Sequence, residues 1–193
     1  MPTSNAQPRS RPKILGLMRF VMLTASLLAA ASPLGAAADD AEAKLKVAFL
    51  FNFAKFVSWP EPEFSAQPMI TICVSGESSL DDALAGLKGK SAQGRDVVVK
   101  RDVKLHQLGT CHVVFIGGSD STRVAKILNE VGKGVLTVSD IPAFIDAGGV
   151  IGLTVSDNKI AFEVNLEAAQ QADLKISAQL LKVARSVRGK PKL

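Results

Sequence analysis

Two cysteines and two histidines are the side chains of this sequence best suited to chemistry: Cys73, Cys111, His106 and His112. Thiolates and imidazoles bind zinc, act as nucleophiles or transfer protons. Their spacing matches no common zinc motif, and neighbours on a strand, such as Cys111 and His112, point to opposite faces. The sequence also contains no G-x-S-x-G motif. We therefore expect no metal site, no cofactor and no catalytic centre.

Small and polar residues follow three apolar runs, at Ser75-Gly76, Gly117-Gly118 and Ser139-Asp140. If these runs are parallel strands, all three ends lie on the carboxyl edge of the sheet, where open α/β sheets bind ligands. Neither G-x-G-x-x-G nor the P-loop motif is present. Two interpretations stay open: a small-molecule cleft, or ordinary helix caps and turns.

Glu163 and Asn165 form a second polar pair, in the stretch "AFEVN". On a strand they share one face, opposite Phe162 and Val164. The pair predicts either a polar contact that fixes a partner or ligand, or a solvated strand face.

The N-terminus has the pattern of a secretory signal peptide. Four basic residues precede or border the apolar run 20–31, and small residues follow it up to Ala38. The run is about a dozen residues long, whereas a membrane span needs ~20. We expect a signal peptide over residues 1–38 and a single domain over residues 39–193; an uncleaved anchor and a start at Met18 are the alternatives.

Loss of the leader changes the charge of the protein. The net charge of +5 falls to +1 when the four basic residues of the leader are removed. We therefore expect no nucleic-acid partner. We also expect no membrane insertion after cleavage, because no apolar run after the leader is long enough to span a membrane. Export also places Cys73 and Cys111 in an oxidising compartment, which favours a disulfide; two buried free thiols are the alternative.

The rest of the chain alternates between apolar strand patterns and helical patterns. Strands are predicted at 69–76, 95–101, 111–118 and 135–140, with helices at 79–89 and 121–134. This rhythm predicts an α/β fold with a mostly parallel sheet and flanking helices, in the manner of a Rossmann fold. An antiparallel hairpin is expected within 148–165, and one or two helices over 166–187.

An aromatic stretch, "KVAFLFNFAKFVSWP" at 46–60, begins this domain and holds five of the ten aromatic residues. We predict a helix from Asp40 to Ser58, ended by Trp59 and Pro60 because a residue before proline leaves helical geometry. Most of the stretch is expected to lie in the core, with Lys46 and Lys55 on wetter sides. Trp59 and Pro60 are predicted to lie at a rim and to contact a partner or ligand.

These motifs, in this order, resemble the YfiR family of periplasmic regulators. The resemblance covers Ala43 to Val187 and is carried by seven segments: 49–60, 70–76, 111–116, 135–140, 148–151, 162–165 and 176–184. It implies a periplasmic α/β domain that forms a homodimer and has no catalysis. It also implies a protein that binds the periplasmic domain of an inner-membrane diguanylate cyclase and represses it. An outer-membrane lipoprotein partner, or redox stress, then relieves the repression.

The resemblance further implies a disulfide between Cys73 and Cys111. Cys73 lies three residues before Gly76, and Cys111 lies six residues before Gly117. A bond between neighbouring strands therefore needs a stagger or a bend, because the two Cα atoms must come within ~7 Å.

Three functions are compatible with these patterns. The first is a binding regulator of a membrane diguanylate cyclase, which controls cyclic di-GMP and biofilm behaviour. The second is a periplasmic small-molecule sensor coupled to a kinase or a transport system. The third is an enzyme, for which the sequence offers no catalytic constellation.

Overall fold

An eight-stranded sheet organises the computed structural model, which describes residues 34–61, 64–156 and 159–189. The strand order is β10-β8-β7-β6-β5-β2-β4-β3, and a separate two-stranded sheet pairs β1 with β9. The strands are β1 Val57–Ser58, β2 Met69–Ser75, β3 Ser91–Ala92, β4 Arg95–Lys100, β5 Val113–Ile116, β6 Leu136–Ser139, β7 Ile151–Ser156, β8 Lys159–Asn165, β9 Lys175–Ile176 and β10 Ser186–Arg188.

Five neighbouring strands, β4, β2, β5, β6 and β7, run parallel. Strand β2 is buried on both faces after Met69, as its continuous apolar sequence predicts. The prediction of a mostly parallel sheet with helices is therefore confirmed. Strands β7 and β8 pair antiparallel over six residue pairs, and the Ser156–Lys159 pair flanks residues 157 and 158, which lie outside the described residues.

Helix α1, Leu34–Phe56, covers one face of the sheet. Leu50 and Phe53 are fully buried, and the Phe53 ring meets the Phe162 ring of β8 with 5.1 Å between centroids. The prediction that the aromatic stretch is mainly core is in agreement with this packing. No helix among the described residues has both the length and the apolar character needed to cross a membrane.

The end of α1 differs from the prediction. The helix ends at Phe56, two residues before Ser58, because Val57 and Ser58 pair with Ile176 and Lys175 as strand β1. The side-chain amide of Gln93 donates hydrogen bonds to the carbonyls of Ala54 and Val57, at 2.9 and 2.8 Å. These bonds satisfy carbonyl groups that a helix end leaves without partners.

Lys46 is a second correction. It was expected on a wetter side of α1, but it is only 5 % exposed. Its ammonium pairs with Glu42 at 2.7 Å and with Asp140, after β6, at 2.6 Å. A buried cation is tolerated here because two carboxylates compensate for its lost hydration.

The opposite face of the sheet is covered by α2, Val124–Val131, and by a 3-10 helix, Leu105–Thr110. The helix predicted at 79–89 is a shorter 3-10 helix, Ala83–Leu87, and the first part of 121–134 is also 3-10. These segments contain Gly86 and the Ser-Asp-Ser-Thr run, which have low helix propensity.

The C-terminal part contains α3, Leu166–Gln171, and α4, Ala178–Val183. Asn165 and Ser177 cap their first turns by accepting hydrogen bonds from backbone N–H groups. The prediction of helix up to Val187 is wrong, because residues 186–188 form the edge strand β10, parallel to β8.

Candidate functional site at the amino edge of the sheet

The carboxyl edge, where the sequence left open either a cleft or ordinary caps and turns, is occupied by internal hydrogen bonds. Ser75 Oγ donates to Asp120 Oδ2 at 2.7 Å, and Asp120 also pairs with Arg123 at 3.0 Å. A Cβ on Gly117 would lie 2.4 Å from the carbonyl oxygen of Glu77, so the chains approach too closely for any side chain. Ser75 and Asp120 therefore join β2 to the segment after β5. This geometry favours caps and turns over a small-molecule cleft at the carboxyl edge.

The third strand end on this edge is equally occupied. Ser139 Oγ donates to the carbonyl of Ile116 at 2.7 Å and accepts from the N–H of Ile141 at 3.0 Å. Asp140 binds Lys46. Burial acts to lower the pKa of Lys46, but the hydrogen bonds and charges of Asp140 and Glu42 outweigh it and raise this pKa above its usual value.

A cavity of about 730 Å³ lies instead at the amino ends of β2, β5 and β6. Met69 and Thr71 of β2, the residues before β5 and the residues before β6 line it, together with Lys100 at the end of β4. Ligand pockets in proteins commonly measure roughly 300–1,000 Å³. Because Trp59, Pro60, Cys111 and His112 also line this cavity, it brings together residues that the sequence singled out separately.

An aromatic cluster forms one wall of this cavity. The Trp59 ring stacks on Phe64 with 5.2 Å between centroids, and the His112 ring meets both rings edge-on, at 5.8 and 5.5 Å. The guanidinium of Arg95 lies over the Phe64 ring, 4.2 Å from its centroid. Trp59 is 6 % exposed, and its Nε1–H donates to the carbonyl of His112 at 3.1 Å. The rim position predicted for Trp59 is wrong, whereas its role in recognition stays a prediction.

His112 connects this cluster to the sheet. Its backbone N–H donates to the carbonyl of Thr71 at 2.9 Å, and its Nδ1 accepts from the N–H of Thr71 at 3.1 Å. Burial lowers the pKa of His112, and the nearby charge of Arg95 lowers it further. The imidazole is therefore neutral at neutral pH, with its proton on Nε2, since Nδ1 acts as an acceptor.

A disulfide joins Cys73 and Cys111, with Cα atoms 6.0 Å apart. Cys73 is the register partner of Val114, so Cys111 lies three residues from that pairing position. The sequence called for a stagger or a bend, and Cys111 lies outside the strand ladder: it directly follows the 3-10 helix Leu105–Thr110, and β5 begins only at Val113. Cys73 is fully buried and Cys111 is 3 % exposed.

Glu163 and Asn165 lie away from the cavity, on β8. Asn165 is 7 % exposed; its Nδ2 donates to the carbonyl of Ile145 and its Oδ1 accepts from Ala168 N–H, both at 3.0 Å. Glu163 is half-buried and lies opposite Ser186 of the edge strand β10. Asn165 thus has an internal capping role, and a recognition role for either residue stays a prediction.

Sequence reasoning did not single out most of the residues that line the cavity, among them Phe64, Lys100 and Lys133, nor Arg95, which lies over the Phe64 ring. Phe64 and Arg95 are far apart in sequence and follow no recognisable motif, so no local signal marks them. Lys100 lies near the end of the predicted strand 95–101, and Lys133 lies just before the predicted strand 135–140. Their positions at strand ends were the available sequence signal. Among the described residues, no group of three His, Cys, Asp or Glu side chains has the geometry to hold a metal ion.

Two solved structures that resemble this chain share little sequence with it. A conserved domain protein from Vibrio cholerae O1 biovar El Tor is 11% identical, with a TM-score of 0.48, over 76% of this chain and 60% of that chain. The ABC domain in complex with L-Trp from Streptococcus pneumonia is 10% identical, with a TM-score of 0.45, over 61% and 55%. The chain therefore spans less than two thirds of the length of either protein.

The family comparison is far more specific. Residues 43–185 match the YfiR/HmsC-like family, and this range contains the aromatic stretch 46–60, both cysteines and the residues that line the amino-edge cavity. The match confirms the resemblance seen in the sequence. The chain belongs to the YfiR/HmsC-like family.

Proposed function

We propose that this protein binds the periplasmic domain of an inner-membrane diguanylate cyclase and holds the enzyme inactive, with no catalytic step of its own. The observation that carries the proposal is the family match over residues 43–185. An outer-membrane lipoprotein that sequesters the protein would release the cyclase. The active form of the regulator would be a homodimer.

Export is part of the proposal. Residues 1–38 would be a cleaved signal peptide, and residues 39–193 would be the single periplasmic domain. Helix α1 begins at Leu34 and runs past Ala38, so cleavage there would shorten the helix at its exposed start. The core contacts of α1 begin at Ala43 and would be retained.

Repression would work through a difference in affinity. A regulator that binds the inactive cyclase better than the active one shifts the population toward the inactive state by that ratio. Reversing a 99:1 preference for the active state takes a ratio of roughly 10⁴. Such a ratio requires a large contact surface or a few well-packed anchor residues.

Two exposed regions are the best candidates for this contact. Where the chain leaves β1, Pro60 lines the amino-edge cavity and two further surface depressions, and Glu61 lines those two depressions. Glu163 lies beside the edge strand β10, whose residues Ser186, Val187 and Arg188 are all exposed. Trp59 would contribute indirectly: its packing on Phe64 would hold the neighbouring Pro60 in position for the contact.

The test combines a deletion strain with a direct binding measurement. Deletion of the gene should raise cellular cyclic di-GMP and biofilm formation, and the intact gene should restore both. In a pull-down with the cyclase periplasmic domain, Pro60→Ala and Glu163→Gln should weaken binding, whereas Glu130→Gln, an exposed change on α2, should not. Unchanged cyclic di-GMP in the deletion strain, together with no binding, would refute the proposal.

The amino-edge cavity favours a second candidate function, a small-molecule sensor coupled to a kinase or a transport system. In this function the occupied and unoccupied protein would present different surfaces to its partner. Native mass spectrometry of protein purified from the periplasm would distinguish the candidates, because a sensor would retain a bound small molecule in a defined ratio.

A further inference from the structure

The outer edge of β4 is the side of this strand that faces away from β2. Strand β3 is two residues long and pairs there only with Arg95 and Asp96. The N–H of Val97 donates to the carbonyl of Lys90 at 2.9 Å, so Val97 directs its backbone groups outward. Because successive residues of a strand direct these groups to opposite sides, Val99 also presents its N–H and C=O outward. No strand in the described part of the chain pairs with β4 at this point.

A groove of about 450 Å³ lies along this outer edge, between β4 and the 3-10 helix Ala83–Leu87. The buried Leu84 and Leu87 and the half-buried Val99 line it. An extended chain laid in the groove would pair with the backbone groups of Val99 and cover these apolar side chains. Addition of a strand to a free sheet edge beside a helix is an established mode of peptide recognition.

Positive charge surrounds the groove. Lys88, Lys90 and Arg101 line it, together with one carboxylate, that of Asp96. Arg101 pairs with Asp81 at 3.2 Å. Neither lysine forms an ion pair with a described residue, and both are exposed. A chain in this groove would therefore meet two ammonium groups that no described carboxylate neutralises.

This charge is concentrated in one segment of the sequence. Residues 88–104 contain six basic and two acidic side chains, a net charge of +4, whereas residues 39–193 together carry +1. Such a concentration favours an acidic partner. A second copy of this chain fits less well, because pairing β4 with β4 would bring the lysines of both copies together, and lysines on an edge strand oppose such pairing.

We propose that the outer edge of β4 binds an extended acidic segment of a partner protein as an added strand. The backbone of the segment pairs with Val99, and its alternate apolar side chains pack beside Leu84 and Leu87. Its carboxylates pair with Lys88 and Lys90. This surface lies at the opposite edge of the sheet from β10, and the proposal does not depend on repression of a cyclase.

Amide hydrogen exchange, measured by NMR on the purified protein, tests the backbone pairing. The probe is a seven-residue peptide of alternating glutamate and valine. At a concentration of about ten times its Kd, it should slow exchange of the Val99 N–H about tenfold. The N–H of Val98, which faces β2, should change little. A peptide with lysine in place of glutamate should slow neither.

Two N-methylated versions of the acidic peptide separate backbone pairing from charge. One carries the methyl groups on its glutamates and the other on its valines, so each lacks the N–H donors along one side of the extended chain. An added strand uses one side only. One version should therefore lose binding and the other should retain it, whereas attraction by charge alone would treat both equally.

Variants locate the binding. Lys90→Glu should weaken binding of the acidic peptide about fivefold, since it removes an exposed ion pair and adds repulsion. Lys88→Glu should act in the same direction. Lys126→Glu, an equally exposed change on α2, should leave the affinity unchanged. Thermal melting of each variant monitors folding.

Unchanged exchange of the Val99 N–H with the acidic peptide would overturn the proposal, and so would equal binding of the two methylated peptides. Protection of Val99 that rises with protein concentration without peptide would assign the edge to a second copy and overturn it as well. Because no cyclase is present, failure here leaves the repression proposal intact, and failure of the pull-down leaves this surface intact.

Discussion

Reduction of the Cys73–Cys111 disulfide tests how far this bond stabilises the fold. The bond closes a segment with a sequence separation of 38 residues. The chain-entropy relation for a loop of this length gives a stabilisation of about 4 kcal/mol at 25 °C. For a domain of this size, such a loss lowers the melting temperature by about 8–16 °C. Reduction is the cleanest perturbation because both sulfur atoms stay in the apolar cluster around Leu108 and Val114.

Urea unfolding of the oxidised and reduced protein, followed by circular dichroism, measures this loss. The midpoint should fall, and the slope m should rise, because a chain without the cross-link exposes more surface when it unfolds. The double variant Cys73→Ala/Cys111→Ala is the control. It should unfold near the reduced protein, and addition of reductant should leave its transition unchanged.

A difference of less than about 1 kcal/mol between the oxidised and reduced proteins would refute this reasoning. It would mean that the packing between β2 and the 3-10 helix Leu105–Thr110 holds Cys111 in place without the bond. A reductant effect in the double variant would instead show that the measured change has a source other than this disulfide.

Three further predictions concern buried polar and aromatic side chains. Trp59→Ala should lower the free energy of unfolding by about 3–5 kcal/mol, because the ring is buried against Phe64. Trp59→Phe, which keeps an aromatic ring, should lower it much less in the same urea titration. Equal losses of stability in the two variants would contradict the packing argument. Stability should fall with pH below about 6.5, because burial lowers the pKa of His112 in the folded state and the unfolded chain then binds more protons. Melting temperatures between pH 7 and pH 5 measure this slope, which His112→Asn should flatten; an unchanged slope would assign it to other groups. Asp140→Asn should lower the free energy of unfolding by about 1–3 kcal/mol, because it leaves the buried Lys46 ammonium with a single carboxylate. Lys46→Met should lower it by less, because it removes the buried charge itself. The reverse order in thermal melts would disprove the role of Asp140.

Local patterns were sufficient to predict most of the sheet. The strand predicted at 69–76 is observed as Met69–Ser75, because a run of β-branched and apolar residues suits a strand buried on both faces. The burial of α1 followed from its many apolar positions. Both results depend on side-chain periodicity, which the sequence contains directly.

Features that depend on distant partners could not be predicted in this way. Lys46 was expected on a wetter side of α1, because its ion-pair partner Asp140 lies 94 residues away in the sequence. The sequence could not decide between a cleft and ordinary turns at the carboxyl edge, because Ser75 and Asp120, which bond across it, are 45 residues apart. β10 forms because it pairs with β8 at the edge of the sheet, although the sequence predicted helix up to Val187.

The sequence by itself therefore determined the α/β rhythm, the buried aromatic helix and the family to which the chain belongs, since each depends on residue types at short, regular spacing. Only the tertiary structure decided where a cavity forms. At the amino edge, open space remains beside the packed rings of Trp59, Phe64 and His112. At the carboxyl edge, hydrogen bonds such as that between Ser75 and Asp120 close the strand ends. The physical reason is that a cavity is the space that close-packed side chains do not fill, so its position depends on how all the surrounding elements pack together.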